Sequence, residues 1–174
     1  WKISICCKRG HNENLLNSYQ TERYSNVRDY INTAMKMGEL LNSIGGSEVS
    51  DTVFVQPDGT IKMNTIKPEL GMGLGECKDI NRGKIFPSLK SDFSKDIDNI
   101  FSCDPILITN KKINKKGLRI KSYDCSDIPE IEIILKKFKT NTLIIRPDRF
   151  ILASTKKNDL LKFTNFCLNQ IYNS

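Results

Sequence analysis

The sequence predicts an α/β fold, and three observations predict it. From Arg82 onward, short apolar runs rich in β-branched residues alternate with stretches of helical spacing. Two of those runs, Ile106-Leu107-Ile108 and Leu143-Ile144-Ile145, are continuous instead of alternating, as strands covered on both faces are. Two longer stretches, one near each end of the chain, repeat apolar residues at intervals of three, four and seven, the period of one helix face. Hydrophobic residues make up 39% and charged residues 27% of the 174, so the chain has the composition of one that folds around a core.

In chain order, Trp1 to Cys7 read as the end of a helix, with Gly10 placed to cap it. A second, long helix begins near Asn14. Leu15, Leu16, Tyr19, Val27, Tyr30, Ile31, Ala34, Met35, Gly38 and Leu41 form its apolar stripe, and Ile44-Gly45-Gly46-Ser47 ends it. Thr52-Val53-Phe54-Val55-Gln56 suits a short strand, followed by the turn Pro57-Asp58-Gly59-Thr60. Pro68, Gly71, Gly73 and Gly75 then interrupt helix and strand alike, which marks a connecting arm. The expected organisation is a helical unit over residues 1–47, an arm over 48–80 and an α/β unit over 81–174.

In that last unit, Gly83 to Pro87 read as a short strand and Pro105 to Thr109 as a buried one. Leu118 to Tyr123 alternate and should be half exposed. The lysine-rich run from Lys111 to Lys121, with Gly117 inside it, is expected to form a solvated hairpin. Pro129 opens a helix that reaches Phe138, with Glu130 and Glu132 in its first turn. Thr142 to Ile145, the turn Arg146-Pro147-Asp148-Arg149 and Phe150 to Ala153 make a hairpin, in which Asp148 is expected to accept backbone hydrogen bonds. A final helix runs from about Asn158 to Tyr172. Strand, helix, strand-turn-strand and helix is the order of a thioredoxin-like α/β sandwich.

Chemical motifs are few. Gly71-Met72-Gly73-Leu74-Gly75 follows Pro68 instead of a strand, so it lacks the strand–turn–helix setting that aims amides at a phosphate. The six cysteines, Cys6, Cys7, Cys77, Cys103, Cys125 and Cys167, include no C-x-x-C, which argues for reduced structural thiols over a metal site or redox pair. His11, the single histidine, lies in a polar turn and reads as a surface residue. Glu22 and Arg23 are neighbours on one helix and so face different partners; a buried arginine there would need an ion pair, expected with a part of the protein outside this chain. The net charge of +7 is spread among acids, and its densest run holds no aromatic side chain to stack on a base, so nucleic acid is not expected as a partner. Nor is a membrane, since no apolar stretch approaches the roughly 18 residues of a span. The opening residues lack the pattern of a signal peptide, and a cytoplasmic location follows as the expectation. Because Trp1 opens the chain with the apolar pattern already running, the chain is expected to continue a longer polypeptide.

Two stretches go beyond generic pattern. Trp1-Lys2-Ile3 followed by Leu15-Leu16-Asn17-Ser18-Tyr19-Gln20-Thr21-Glu22-Arg23 resembles the N-L-A-W-K-L helix and the L-L-D-S-Y-x-x-E-R segment of FAD-dependent aromatic-ring hydroxylases of the phenol hydroxylase and 3-(3-hydroxyphenyl)propionate hydroxylase family. Asn17 stands where the family usually has Asp. Leu143-Ile144-Ile145-Arg146-Pro147-Asp148-Arg149-Phe150-Ile151-Leu152-Ala153 is similar to the V-V-x-R-P-D-R-F-V-A run in that family's C-terminal thioredoxin-like domain, and Gly83 to Pro87 is similar to the strand that opens it. The resemblance implies the terminal helices of a flavin-hydroxylase domain followed by a thioredoxin-like domain without C-x-x-C. It further implies a parent enzyme that uses FAD and NAD(P)H to hydroxylate a phenolic substrate, completed by an N-terminal FAD-binding portion and capable of forming a homodimer. The family's dinucleotide and flavin motifs all precede its W-K helix. No catalytic, cofactor-binding or metal-binding residue can therefore be assigned in this chain, which by itself is expected to be non-catalytic. The arm over residues 48–77 matches the family poorly.

Overall fold

The computed structural model describes residues 1–43, 53–55, 61–63, 67–76, 78–88, 104–114 and 116–172. The expected helix stop at 44–47, the turn at 57–60, Cys77 and Cys103 lie outside the described residues.

Helix α1 (Lys2–Arg9) ends at Gly10, whose φ of 102° is open to glycine and whose amide returns to the Cys6 carbonyl. Helix α2 (Glu13–Ser43) follows almost at once. Asn12 starts it by accepting the Leu15 amide at 2.8 Å on Oδ1, the role of an N-cap. The Asn12 side-chain amide meanwhile donates to the Ile171 carbonyl, which ties the start of α2 to the last helix. Strands β1 (Val53–Val55) and β2 (Ile61–Met63) pair antiparallel as a two-stranded ribbon.

The main sheet has four strands, β3 (Ile106–Thr109), β4 (Lys121–Asp124), β5 (Thr142–Ile145) and β6 (Ile151–Thr155), in the order β4-β3-β5-β6. It is a mixed sheet: β3 and β4 run parallel, while β5 is antiparallel to both β3 and β6. Beyond β6, the Gly83 amide donates to Ile151 and the Ile151 amide to Lys84, so 83–86 lies against the hairpin, but as an isolated bridge at Ile85 and not as the short strand expected over Gly83 to Pro87. Between β5 and β6, Arg146 and Phe150 close a three-residue loop, with Arg149 in the left-handed region at φ 65°.

The lysine-rich stretch departs from expectation. Because β3 and β4 are parallel, their connection is a crossover and not a hairpin. Leu118 and Ile120 leave the strand and serve the core, Ile120 being buried and Leu118 packed beside it, so β4 starts only at Lys121.

Alternation along β3 and β5 explains their continuous apolar character. Ile106, Ile108, Leu143 and Ile145 point to one face, where helix α3 (Pro129–Lys137) covers them with Ile131, Ile134 and Leu135. Leu107 and Ile144 point to the other face, covered by helix α4 (Leu160–Tyr172) through Cys167, Leu168 and Ile171. Ile5 of α1 and Leu15 of α2 belong to that second core, so the two N-terminal helices share their packing with the sheet. Each fully buried Leu or Ile contributes about 1.5–3 kcal/mol relative to exposure.

Candidate functional site

Where α1, α2 and the β5–β6 turn meet, four charged side chains and an indole form one network. Glu22 is fully buried on α2. Its Oε2 accepts from Lys2 Nζ at 2.7 Å and pairs with Arg146 Nη1 at 2.9 Å, while its Oε1 accepts the Leu74 amide at 2.8 Å. Lys2 also donates to Ser18 Oγ at 2.5 Å, and Ser18 in turn donates to the Leu15 carbonyl. Arg146 reaches Asp148 with two hydrogen bonds, Nε to Oδ1 at 3.0 Å and Nη2 to Oδ2 at 2.8 Å. The Trp1 indole N–H donates to the same Oδ2 at 2.9 Å, and the Arg146 guanidinium lies 5.1 Å from the Trp1 ring centre.

Two cations and two carboxylates balance. Burial lowers the Lys2 pKa, and the Glu22 carboxylate pulls it partly back. The four charges satisfy one another. This arrangement is a clamp between three elements.

One expectation is corrected here. Among the described residues Asp148 accepts no backbone hydrogen bond: its oxygens take the Arg146 fork and the Trp1 indole, because a bidentate guanidinium is the stronger donor. The turn is closed instead by the backbone, Arg149 N–H to the Arg146 carbonyl at 3.0 Å. Arg23 is half-buried and turns to Asn26 at 3.0 Å and toward the Phe150 ring, whereas Glu22 makes its ion pairs inside the chain, with Lys2 and Arg146. Glu22 and Arg23 do bind different neighbours, as their adjacency requires. The burial of Lys2 carried no sequence signal. That of Arg146 had one, because it directly follows a strand buried at every position.

The glycine run is explained by the same clamp. Gly71 donates its amide to the Glu22 carbonyl, and Gly75 donates to Gln170 Oε1. A Cβ on Gly71 would stand 2.5 Å from the Thr21 carbonyl, and one on Gly73 would overlap Glu22 Cγ. The backbone is pressed against α2, and a carboxylate occupies the space beside it. This loop does not fit a dinucleotide phosphate: its Gly71, Leu74 and Gly75 amides are committed, and Glu22 would repel an anion.

Among the described residues no group of three or more His, Cys, Asp or Glu side chains is arranged to hold a metal ion. Burial pushes the Cys125 thiol up to about 11 and the Cys167 thiol up to about 12, so both stay protonated and unreactive at neutral pH. His11 is exposed. No helix among the described residues is long and apolar enough to cross a membrane.

The surface feature that stands out is on α2. Tyr19, Tyr24, Val27, Tyr30, Ile31 and Met35 are all exposed, and a hollow of about 610 Å³ borders Tyr19, Arg23, Tyr24, Val27, Arg28 and Ile31. A monomer seldom leaves such a contiguous apolar strip to water. A second hollow, of about 560 Å³, lies between Ser154, Thr155, Lys157, Phe163 and Phe166 and carries charges of both signs, Glu76 and Asp159 with Lys157 and Lys162. Asp159 is engaged at the start of α4, accepting the Lys162 amide.

No protein-family profile, curated protein or solved structure matches the chain.

Proposed function

We propose that this chain is the C-terminal part of a FAD-dependent, NAD(P)H-using aromatic-ring hydroxylase. In this reading the chain is not itself catalytic, and it serves as a structural and assembly element of the parent enzyme. One observation carries the proposal. The separate stretches that resemble those hydroxylases, Trp1-Lys2, Ser18 to Arg23 and Arg146-Pro147-Asp148, meet in a single buried network. Residues 147 positions apart in the chain are thus in hydrogen-bond contact, which gives the ordered set of short matches a shared physical purpose.

The sheet adds support. Two parallel strands followed by two antiparallel ones, in the order β4-β3-β5-β6 with a helix on each face, fits a thioredoxin-like domain. The absence of C-x-x-C from the sequence fits a version of that domain without redox activity. The parent would supply the flavin and nicotinamide sites and the pocket for a phenolic substrate.

The test is to isolate the native polypeptide with an antiserum raised against this chain, then measure its mass, its releasable flavin and its phenol-stimulated NAD(P)H oxidation. The expected result is a polypeptide several times longer than this chain that carries FAD. A native polypeptide of about this length without flavin overturns the reading. It would favour the second one, a stand-alone thioredoxin-like interaction module, for which the exposed apolar strip of α2 is the supporting observation.

A further inference from the structure

The end of the sheet away from the clamp gathers lysines that the sequence keeps apart. Three loops meet there, those that follow β3, precede β5 and follow β6. The Asn110 amide donates to the Asn141 carbonyl, the Asn141 amide to the Thr155 carbonyl, and Lys111 Nζ to the Lys156 carbonyl. These loops carry Lys111, Lys112, Lys139, Lys156 and Lys157, and all but the half-buried Lys111 are exposed. Lys157 also borders the hollow of about 560 Å³ beside α4, together with Lys162, Phe163 and Phe166. Phe166 is half exposed, and the carboxylates of Glu76 and Asp159 stand at the same hollow.

We propose that this end of the molecule binds single-stranded nucleic acid, with a base seated in the hollow and the phosphates running over the lysines. Each part of a nucleotide finds a counterpart. Ammonium groups neutralise phosphates and release their counterions. Exposed phenyl rings stack on bases of any sequence. A carboxylate accepts from the exocyclic amino group of cytosine. Lysines on three loops reach beyond the hollow, which suits a polymer better than a lone nucleotide. An acidic protein segment would use the lysines but would meet two carboxylates of its own sign and leave the rings idle. The lysine run itself holds no aromatic residue, and for that reason the sequence argued against such a partner; the fold supplies the rings from α4. None of these residues lies in the stretches that resemble the hydroxylases, so the proposal stands apart from that reading.

Fluorescence anisotropy of the full chain with labelled oligocytidylate, as DNA and as RNA, tests it. Saturable binding of at least one strand is expected. It should weaken about 50-fold between about 50 and 200 mM salt, as roughly four neutralised phosphates require. Oligothymidylate, which lacks the amino group, should bind less tightly. Lys112→Glu combined with Lys157→Glu should weaken binding by at least about tenfold and flatten its salt dependence. Phe166→Ala should weaken it roughly 5–150-fold with the salt dependence kept. Lys8→Glu, exposed at the opposite end of the sheet next to the Arg9 that pairs with Asp104, should change little. The proposal is overturned by no saturation with either cytidylate, by affinity indifferent to salt, or by thymidylate or polyglutamate binding equally well. Binding undiminished in the lysine double variant overturns it too. The substituted side chains are exposed, so circular dichroism should be unchanged; should Phe166→Ala fail to fold, the lysine pair still decides the matter.

Discussion

Replacing Arg146 by Met should be among the most damaging single substitutions in this chain. Arg146 is 2% exposed and makes an ion pair with Glu22 together with two hydrogen bonds to Asp148. Methionine fills much of the same volume but supplies no donor. Glu22 would keep Lys2 and the Leu74 amide, and Asp148 would keep the Trp1 indole, so each carboxylate would lose its strongest partner without losing every one. Removing one member of a buried ionic cluster costs about 3–5 kcal/mol. A domain of this size has about 5–15 kcal/mol in total, so the variant should fold but with a large share of its stability gone. Equilibrium urea unfolding followed by circular dichroism would read this as a lower midpoint with an unchanged slope. Thermally, the drop should be on the order of 10 °C, at about 2–4 °C per kcal/mol. Arg146→Lys should fall between the two, because an ammonium can serve one carboxylate but not both with a planar fork. A loss under about 1 kcal/mol for Arg146→Met would refute the reasoning, since it would place the network among solvent-screened surface pairs.

Other expectations follow from the same structure. Gly73→Ala should cost about 1–3 kcal/mol by driving a methyl group into Glu22, and combining it with Glu22→Gln should leave the clash in place, which a two-by-two cycle of urea midpoints would show. Lys139→Gly should stabilise by about 0.5–1 kcal/mol, because Lys139 sits at φ 51° in the turn that ends α3, where its amide bonds Lys136 and the Thr140 amide bonds Leu135; a fall in melting temperature would contradict this. Cys167 has an ordinary pKa of 9.0 when unfolded and is pushed up to about 12 by burial. Its contribution to stability is therefore complete below pH 9 and declines as pH rises from there toward 12, by about 1.4 kcal/mol per unit. Urea midpoints taken at about pH 8 and about pH 10 should converge in Cys167→Ala relative to the parent chain, after allowance for the same decline at Cys125; an unchanged pH slope would count against the assignment.

How far the sequence could be read depended on whether a feature was local. The strands at Ile106 and Leu143 and the helices at both ends announce themselves through period alone, because burial on one or two faces writes itself into neighbouring residues. The direction of β4 is not local. Leu118 and Ile120 alternate as a strand would, yet they turn under the sheet, and only the parallel partnership of β3 and β4 shows why. The clamp was still less legible. Nothing near Lys2 indicates that its ammonium is buried, and Asp148 in a Pro-Asp turn fits a backbone acceptor until Trp1 and Arg146 are brought beside it. The exposed stripe on α2 was visible as a stripe, but periodicity cannot tell a covered face from an open one.

The contact between Trp1 and Asp148 also bears on the order of folding events. It closes a loop of 147 positions, whereas the β5–β6 hairpin that carries Arg146 and Asp148 closes over three. Loop-closure entropy grows with length, so the hairpin can form early and the clamp should form only after the sheet exists to receive it. Interactions absent from the transition state act on escape from the native state and not on arrival there. Substitutions at Trp1, Lys2 or Arg146 should then leave refolding nearly as fast as before and mainly quicken unfolding, making the clamp a governor of how long the folded chain persists.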